Sequence, residues 1–258
     1  MKKWWGDIEF ALDEVKTWRI GEREIRVQRK EKEWLVWDLR TKHESDDSLL
    51  LETTVEPEQA PLHRHLMNAS ESVLKIEPTL ADRSMIVRPS SPLSVLPGES
   101  TELFVSTPLW LRAITYRKQS TIIDLPFWLP SDSWFGTSTM HGELCYAKYT
   151  DAKVQLANIT PRSHRAITTV SIANEHHEPF IVQRINLPVN LLDTYVDDDQ
   201  QFWTDCVVIT HDESHKRASL DIKKRDTVSK DALFSKVSAA RKVADSNIFS
   251  RSIKSLVG

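Results

Sequence analysis

The sequence predicts an all-β protein, made of two antiparallel β-sandwich-like units followed by a C-terminal amphipathic α-helix. Three observations support this fold class: short runs of alternating apolar and polar residues recur along the chain, turn residues separate them, and only residues 227–258 show helical spacing. Regularly spaced short strands of this kind favour a sandwich or barrel over alternating β–α–β units, and an immunoglobulin-like topology is one such arrangement.

The first half of the chain predicts a hairpin and a series of short strands. Glu24–Arg29 alternates, a charged turn follows at residues 30–32, and Glu33–Leu39 completes the hairpin. Prolines bracket the strands between Ile86 and Pro108, and since proline cannot donate within a ladder it belongs at strand starts and edges. Further strands are predicted at Leu49–Val55, Ser72–Glu77, Met85–Arg88, Leu93–Leu96, Thr101–Ser106, Leu109–Tyr116 and Ser120–Leu125.

The second half continues this pattern and then changes period. Strands are predicted at Gly142–Tyr149, Val154–Ile159, Arg165–Ala173, Pro179–Leu187, Phe202–Thr210 and Arg217–Lys223. After them Ser229 can cap a helix. The apolar stripe of that helix comprises Leu233, Val237, Ala240 and Ala244. We therefore predict an N-terminal β domain over 1–128, a second β-sandwich domain over 129–226, and a helix with a tail over 227–258.

Composition indicates a cytoplasmic protein that binds no nucleic acid. The 258 residues carry a net charge of −3, with the basic residues concentrated after Ser214. No apolar run is long enough for a membrane span or a secretory signal. Cys145 and Cys206 belong to no CxxC pair, so both are expected to be small core residues in a reducing compartment. The nine tryptophans indicate either large β-sheet cores or an aromatic binding surface.

The segment Ser131–Tyr149 concentrates the most unusual residues of the chain. Trp134, Phe135 and His141 are candidate ligand-binding residues, because aromatic rings beside serine and threonine can stack on a sugar or a nucleotide base. Cys145 and His141 also suggest a nucleophile and its base, but the alternation of the strand predicts a buried structural thiol instead. The segment is expected to be a structural corner rather than a catalytic centre.

A second candidate is the HxH pair His63 and His65. On a strand this spacing places both imidazoles on one face, as a metal site would need, but no third ligand follows at a diagnostic distance. Solvated or hydrogen-bonded histidines are the alternative. No catalytic residue is assigned and no cofactor is expected, since the sequence contains no P-loop, GxGxxG, GxSxG or HExxH motif.

Several motifs resemble the uncharacterised prokaryotic family called domain of unknown function 432. They are Trp4-Trp5-Gly6, Trp18-Arg19-Ile20-Gly21, Pro97-Gly98-Glu99, Trp134-Phe135-Gly136 and the run from Gly142 to Ala147. The resemblance is expected to extend to about Asp226, leaving the C-terminal helix outside. It implies no activity, cofactor or catalytic residue. It does imply a link to small-conductance mechanosensitive channels, whose genes often lie near those of the family.

Three hypotheses about function follow. The first is a non-enzymatic cytoplasmic interaction or regulatory module, whose protein partner, a membrane channel among the candidates, would contact the C-terminal helix. The second is a small-ligand binder that uses the loop of Trp134 and Phe135. The third is a metal-dependent enzyme that uses His63 and His65.

Overall fold

A computed structural model of the protein describes residues 3–20, 23–40, 49–128, 130–136, 142–212, 218–225 and 234–243, with the backbone alone at 148–151. The chain forms two compact units from non-consecutive parts of the sequence. Unit 1 comprises Met1–Thr79, Trp110–Phe127 and Arg162–His164, and unit 2 comprises Leu80–Leu109, Trp128–Pro161 and Arg165–Gly258. The domain bounds 1–128, 129–226 and 227–258 stay a prediction, because compactness alone does not show which segments fold independently.

Short strands make up nearly all of the regular structure in the described ranges. The first twelve are β1 (Gly6–Glu9), β2 (Val15–Ile20), β3 (Arg23–Arg29), β4 (Glu33–Arg40), β5 (Leu50–Thr54), β6 (His63–Leu66), β7 (Val73–Thr79), β8 (Met85–Pro89), β9 (Leu93–Val95), β10 (Ser100–Pro108), β11 (Trp110–Thr115) and β12 (Thr121–Pro126). The others are β13 (Ser131–Phe135), β14 (Glu143–Lys153), β15 (Arg165–Asn174), β16 (Phe180–Val182), β17 (Ile185–Leu187), β18 (Thr194–Val196), β19 (Phe202–Thr204), β20 (Cys206–His211), β21 (Ala218–Lys223) and β22 (Ser235–Ser238). Two 3₁₀ turns lie at Leu156–Asn158 and Val189–Leu191.

The described strands of unit 1 form two antiparallel sheets. One has the strand order β1-β7-β11-β12 and the other β5-β2-β3-β4-β6. Its core is rich in tryptophan: Trp18 and Trp34 are fully buried, and the Trp34 ring meets Phe10 edge to face at 5.0 Å. Five of the nine tryptophans of the chain are buried, so the interpretation of tryptophan mainly as core material is confirmed.

Unit 2 contains a long sheet and a small one. The long sheet runs β17-β8-β14-β10-β15-β19-β18-β22, with β13 added to β14 and with β20 lying between β15 and β21, while β9 pairs with β16. Three pairs are parallel, namely β8 with β14, β15 with β19, and β15 with β20. The all-β class is therefore confirmed, although pairing is not antiparallel throughout. The sandwich-like and immunoglobulin-like arrangements stay predictions.

The predicted C-terminal helix is wrong in the part of it that the structure describes. Residues 235–238 form β22, which pairs antiparallel with β18. The helical stripe misleads because sheet pairing with a distant strand satisfies the backbone here, and tertiary pairing overrides local helix preference. Ser229, Leu233 and Ala244 lie outside the described residues. Among the described ranges, no helix is long and apolar enough to cross a membrane.

A buried ionic network fixes β22 to unit 2. The Lys224 ammonium donates to the carboxylates of Asp193 and Asp205, at 2.8 and 2.9 Å. Lys236 on β22 donates to the same oxygen of Asp193 at 2.7 Å, and the Ala240 amide donates to the other oxygen at 2.7 Å. These donors hold the pKa of the Asp193 carboxyl below its usual value, against the opposing effect of burial. The basic C-terminal segment thus serves as a structural partner for buried acids.

Candidate ligand-binding pocket

Unit 1 contains a cleft of about 540 Å³ between the end of β6, the loop that leads to β7, and the β11–β12 hairpin. This volume lies in the range of small-molecule sites. Its lining is mostly polar: Arg64, His65, Leu66, Met67, Asn68, Ala69, Glu71, Thr115, Arg117, Lys118, Ser120, Thr121 and Ile122. Leu66, Met67 and Ile122 supply an apolar part, so the wall combines charged groups, hydroxyls and apolar surface.

The hairpin turn that forms one wall is fixed by its own hydrogen bonds. The Thr115 amide donates to the Ser120 carbonyl at 3.0 Å, and the Ser120 amide donates to the Thr115 hydroxyl at 3.2 Å. Gln119 adopts a φ of 50°, and its side-chain amide donates to the Tyr116 carbonyl at 2.9 Å. The positive φ closes a tight turn. Arg117 and Lys118 are therefore presented at the tip, beside the cleft.

Glu71, from the loop before β7, binds the backbone of this turn. Its two carboxylate oxygens accept hydrogen bonds from the successive amides of Tyr116 and Arg117, at 2.8 and 3.0 Å. Successive amides that converge on one anion form the kind of concave backbone site known as a nest. The turn therefore already binds one carboxylate, which belongs to the chain itself.

Two cations of the cleft remain uncompensated. Arg64 forms a bidentate pair with Glu33, at 2.8 and 2.9 Å, which neutralises its charge. By contrast, the side chains of Arg117 and Lys118 make no hydrogen bond or ion pair within the described ranges. Because the Glu71 carboxylate binds backbone amides and forms no ion pair with these two side chains, the wall presents exposed positive charge to a ligand.

His65 is the residue of the HxH pair that lines the cleft. Its Nε2 atom is buried and has no hydrogen-bond partner among the described residues. Burial lowers the pKa of His65 below its usual value, with a further contribution from His63, while a backbone hydrogen bond at Ile122 acts in the opposite direction. The imidazole is therefore neutral at pH 7 and can gain a proton as the pH falls.

The predicted metal role of this pair has no further geometric support. The rings of His63 and His65 are 6.0 Å apart, and His63 does not line the cleft. Within the described part of the chain, no group of three or more His, Cys, Asp or Glu residues could hold a metal ion. The metal-dependent activity stays a prediction.

Trp134 and Phe135 lie on the edge strand β13 of unit 2 and have different surroundings. Trp134 is 42% exposed and stands opposite Leu144 on β14. Phe135 is fully buried, with the Arg184 guanidinium 4.7 Å from its ring, so only Trp134 is placed to stack on a ligand. His141 lies outside the described residues, so the structure does not test whether it joins them.

Cys145 is buried on β14, as the alternation predicts. Burial and the nearby Glu143 carboxylate raise the pKa of its thiol to about 12, so the thiol is protonated and a poor nucleophile at neutral pH. It packs with Ile86 and Phe135 in a small apolar cluster. Cys206 is buried as well, and neither cysteine forms a disulfide.

Three other histidines meet in unit 2. The rings of His176 and His177 stack at 4.1 Å, and His176 lies 4.8 Å from His211. His211 also stacks on Phe180 at 4.5 Å and contacts the Asn174 side chain at 3.1 Å. Burial lowers the pKa of His211. Among the described residues no group of three or more His, Cys, Asp or Glu could hold a metal ion, so this cluster is not a metal-ligand set.

Sequence reasoning missed the residues that define the cleft. The sequence pattern predicts Arg117 and Lys118 in a connection between two strands and gives no reason to select Glu71. The only local signal is a polar, doubly basic turn, and its acidic partner lies 45 and 46 positions away in the chain. The sequence predicts His65 as a candidate metal ligand and not as part of this cleft.

The chain is thus an all-β protein with a polar, partly cationic cleft in unit 1. The chain belongs to the family described as protein of unknown function DUF432, whose model matches residues 4–256. The match confirms the resemblance, but the expected limit near Asp226 is wrong, since the C-terminal segment belongs to the family too. No curated protein and no solved structure matches the chain significantly.

Proposed function

We propose that this protein is a non-enzymatic binding module whose unit 1 cleft takes a small anionic molecule. The observation that carries the proposal is the turn at Tyr116–Lys118, whose two amides bind a carboxylate while its two cationic side chains lack partners in the described ranges. Positive groups beside preorganised amides favour oxyanions. The cleft also has the volume of a metabolite site.

Calorimetric titration with inorganic phosphate tests this proposal. Wild type is expected to bind with one saturable site, and the double variant Arg117→Gln/Lys118→Gln to bind at least about tenfold more weakly, because it loses two charge-assisted contacts. A matched control is Arg88→Gln/Lys223→Gln, two exposed positions of unit 2 that remove the same charge. Equal weakening in both variants would show a general charge effect, and no binding by wild type would refute the proposal.

The cleft should also bind anions more tightly in acid. The folded-state pKa of His65 lies below its usual 6.5, so lowering the pH from 7 through that pKa adds a positive charge to the wall. Sulfate is the suitable probe, because its own charge stays constant in this range. The affinity should rise as the pH falls below 6.5, and His65→Gln should remove most of the rise.

For the sulfate titration His63→Gln is the control, since His63 does not line the cleft. An affinity for sulfate that does not change with pH in wild type would contradict the role of His65.

The depressed pKa of His65 also affects the stability of the fold. Folding with a neutral His65 contributes its full stability above pH 6.5, and that contribution is lost as the pH falls through the depressed folded-state pKa.

A second candidate function, an interaction module, is favoured by a separate observation in unit 2. Trp134 and Leu144 form an exposed cross-strand pair, 42% and 45% exposed, on a strand whose described pairing is to β14 alone. We propose a cytoplasmic setting and, as partner, the cytoplasmic domain of a membrane channel. Purified channel domain should bind wild type and lose at least about tenfold in affinity with Trp134→Ser, since exposed tryptophans dominate many interfaces. Equal binding by both would remove this candidate.

A further inference from the structure

The carboxylate of Glu71 occupies the backbone anion site of the hairpin turn. Its two oxygens accept hydrogen bonds from the successive amides of Tyr116 and Arg117, at 2.8 and 3.0 Å. Glu71 lines the cleft together with Arg117 and Lys118. Within the described part of unit 1, the side chains of Arg117 and Lys118 have no hydrogen-bond or ion-pair partner. The two amides do have a partner, which is the Glu71 carboxylate. The two amides thus bind an acid of the chain itself, whereas the two cationic side chains face solvent.

A phosphate-type group suits a wall that holds both backbone amides and cationic side chains. Its several oxygens can accept from two amides and two cations at once, whereas a carboxylate has two oxygens and a single charge. The chain holds Glu71 beside the turn at a high effective concentration, so it fills the amides while no ligand is present. A ligand oxyanion must then compete with it.

We propose that the ligand of this cleft carries a phosphate-type oxyanion that displaces Glu71 from the amides of Tyr116 and Arg117. The inference rests on the proposed function and adds the ligand class and an internal competitor. The observed affinity is the affinity of the open site multiplied by the fraction of molecules in which Glu71 leaves the amides free. Binding also releases the loop before β7 from the hairpin turn, since the two are joined through this carboxylate.

Calorimetric titration with inorganic phosphate on three variants tests the inference. Glu71→Gln replaces the anionic acceptor with a neutral one and should tighten phosphate binding by about fivefold or more. Glu71→Asp keeps the charge but shortens the side chain, so it should tighten binding as well. Glu58→Gln, an exposed acid of unit 1 away from the cleft, should change the affinity by less than about twofold.

The outcomes separate the two proposals. If Glu71→Gln tightens binding while Glu71→Asp does not, a charge effect explains the result and displacement is overturned. If neither variant tightens binding, but Arg117→Gln/Lys118→Gln abolishes it, the cleft binds phosphate without displacing Glu71. If wild type binds no phosphate, the proposed function itself fails.

A second measurement needs no variant. In ¹³C-labelled wild type, saturating phosphate should move the resonance of the Glu71 side-chain carboxyl carbon, because that group loses two amide hydrogen bonds. The carboxyl carbon of Glu58 serves as the internal reference. An unmoved Glu71 resonance at saturation would overturn displacement, even if the variants of Glu71 fail to fold.

Discussion

Replacing Asp205 with alanine is expected to destabilise the protein by about 3 kcal/mol, the largest stability effect of any single change considered. Asp205 is fully buried and accepts hydrogen bonds from the Tyr195 hydroxyl, the Lys224 ammonium and the Asp193 amide, each at 2.9 Å. Alanine removes the acceptor of these three donors, so the Tyr195 hydroxyl and the Asp193 amide each lose a buried hydrogen bond, while Lys224 keeps its pair with Asp193. The Lys224 side chain is half exposed, so water can solvate its ammonium group. The expected loss is therefore at the lower end of the range for removing one member of a buried ion pair. Urea unfolding measures the change.

Asp221→Ala is the control for this prediction, because Asp221 is an exposed acid on the neighbouring strand β21. It should change the free energy of unfolding by less than about 0.5 kcal/mol. The Asp205 variant should also lose protection of the β22 amides in hydrogen exchange, since the network joins β22 to β18 through Asp193. Equal stability of the two variants would show that the network contributes little.

Replacing Gly142 with alanine is expected to cost about 1–3 kcal/mol. A Cβ atom at this position would lie 2.6 Å from the Cε2 atom of Trp134 and 2.7 Å from the Phe135 carbonyl oxygen. Both distances are shorter than real contacts, so the indole and the β13 backbone must move. Urea unfolding followed by tryptophan fluorescence reports the loss of stability and the displaced indole together.

A double-mutant cycle with Trp134→Ala separates the two contacts. Removing the indole should reduce the cost of Gly142→Ala but not abolish it, because the Phe135 carbonyl remains. Strict additivity would show that the indole is not the obstacle. Gly142 and Trp134 are therefore close neighbours in space within the segment Ser131–Tyr149.

The fold class could be predicted because strand alternation is a local property. Glu24–Arg29 and Glu33–Leu39 form β3 and β4 as predicted, within one residue at each end. The pattern of Val154–Ile159 predicts a strand equally well, but this prediction is wrong, because the segment contains the 3₁₀ turn at Leu156–Asn158. The stripe containing Val237 and Ala240 predicts a helix, because sequence alone does not reveal the pairing with β18 or the acid Asp193 that binds the Ala240 amide.

The candidate site was less predictable, since distance in sequence hides it. Glu71 meets the Tyr116 and Arg117 amides only after β7 and β11 have paired within one sheet. The HxH spacing predicts His65 as a candidate metal ligand, whereas the structure places it in the wall of a cleft with two cationic side chains, which favours anion binding. In the segment Ser131–Tyr149, Phe135 is buried and Trp134 is exposed, so its described residues include both core and surface positions.

A ¹⁵N–¹H NMR titration with inorganic phosphate tests the central claim most directly, because it reports both binding and its location. The account predicts saturable shifts centred on the amides of Arg117, Lys118 and Ser120, absent in Arg117→Gln/Lys118→Gln. Unit 2 provides an internal comparison in a cleft of about 530 Å³ beside Ser90, Ser91 and Lys153. Shifts confined to that second cleft, or no saturable shift at all, would contradict an anion site in unit 1.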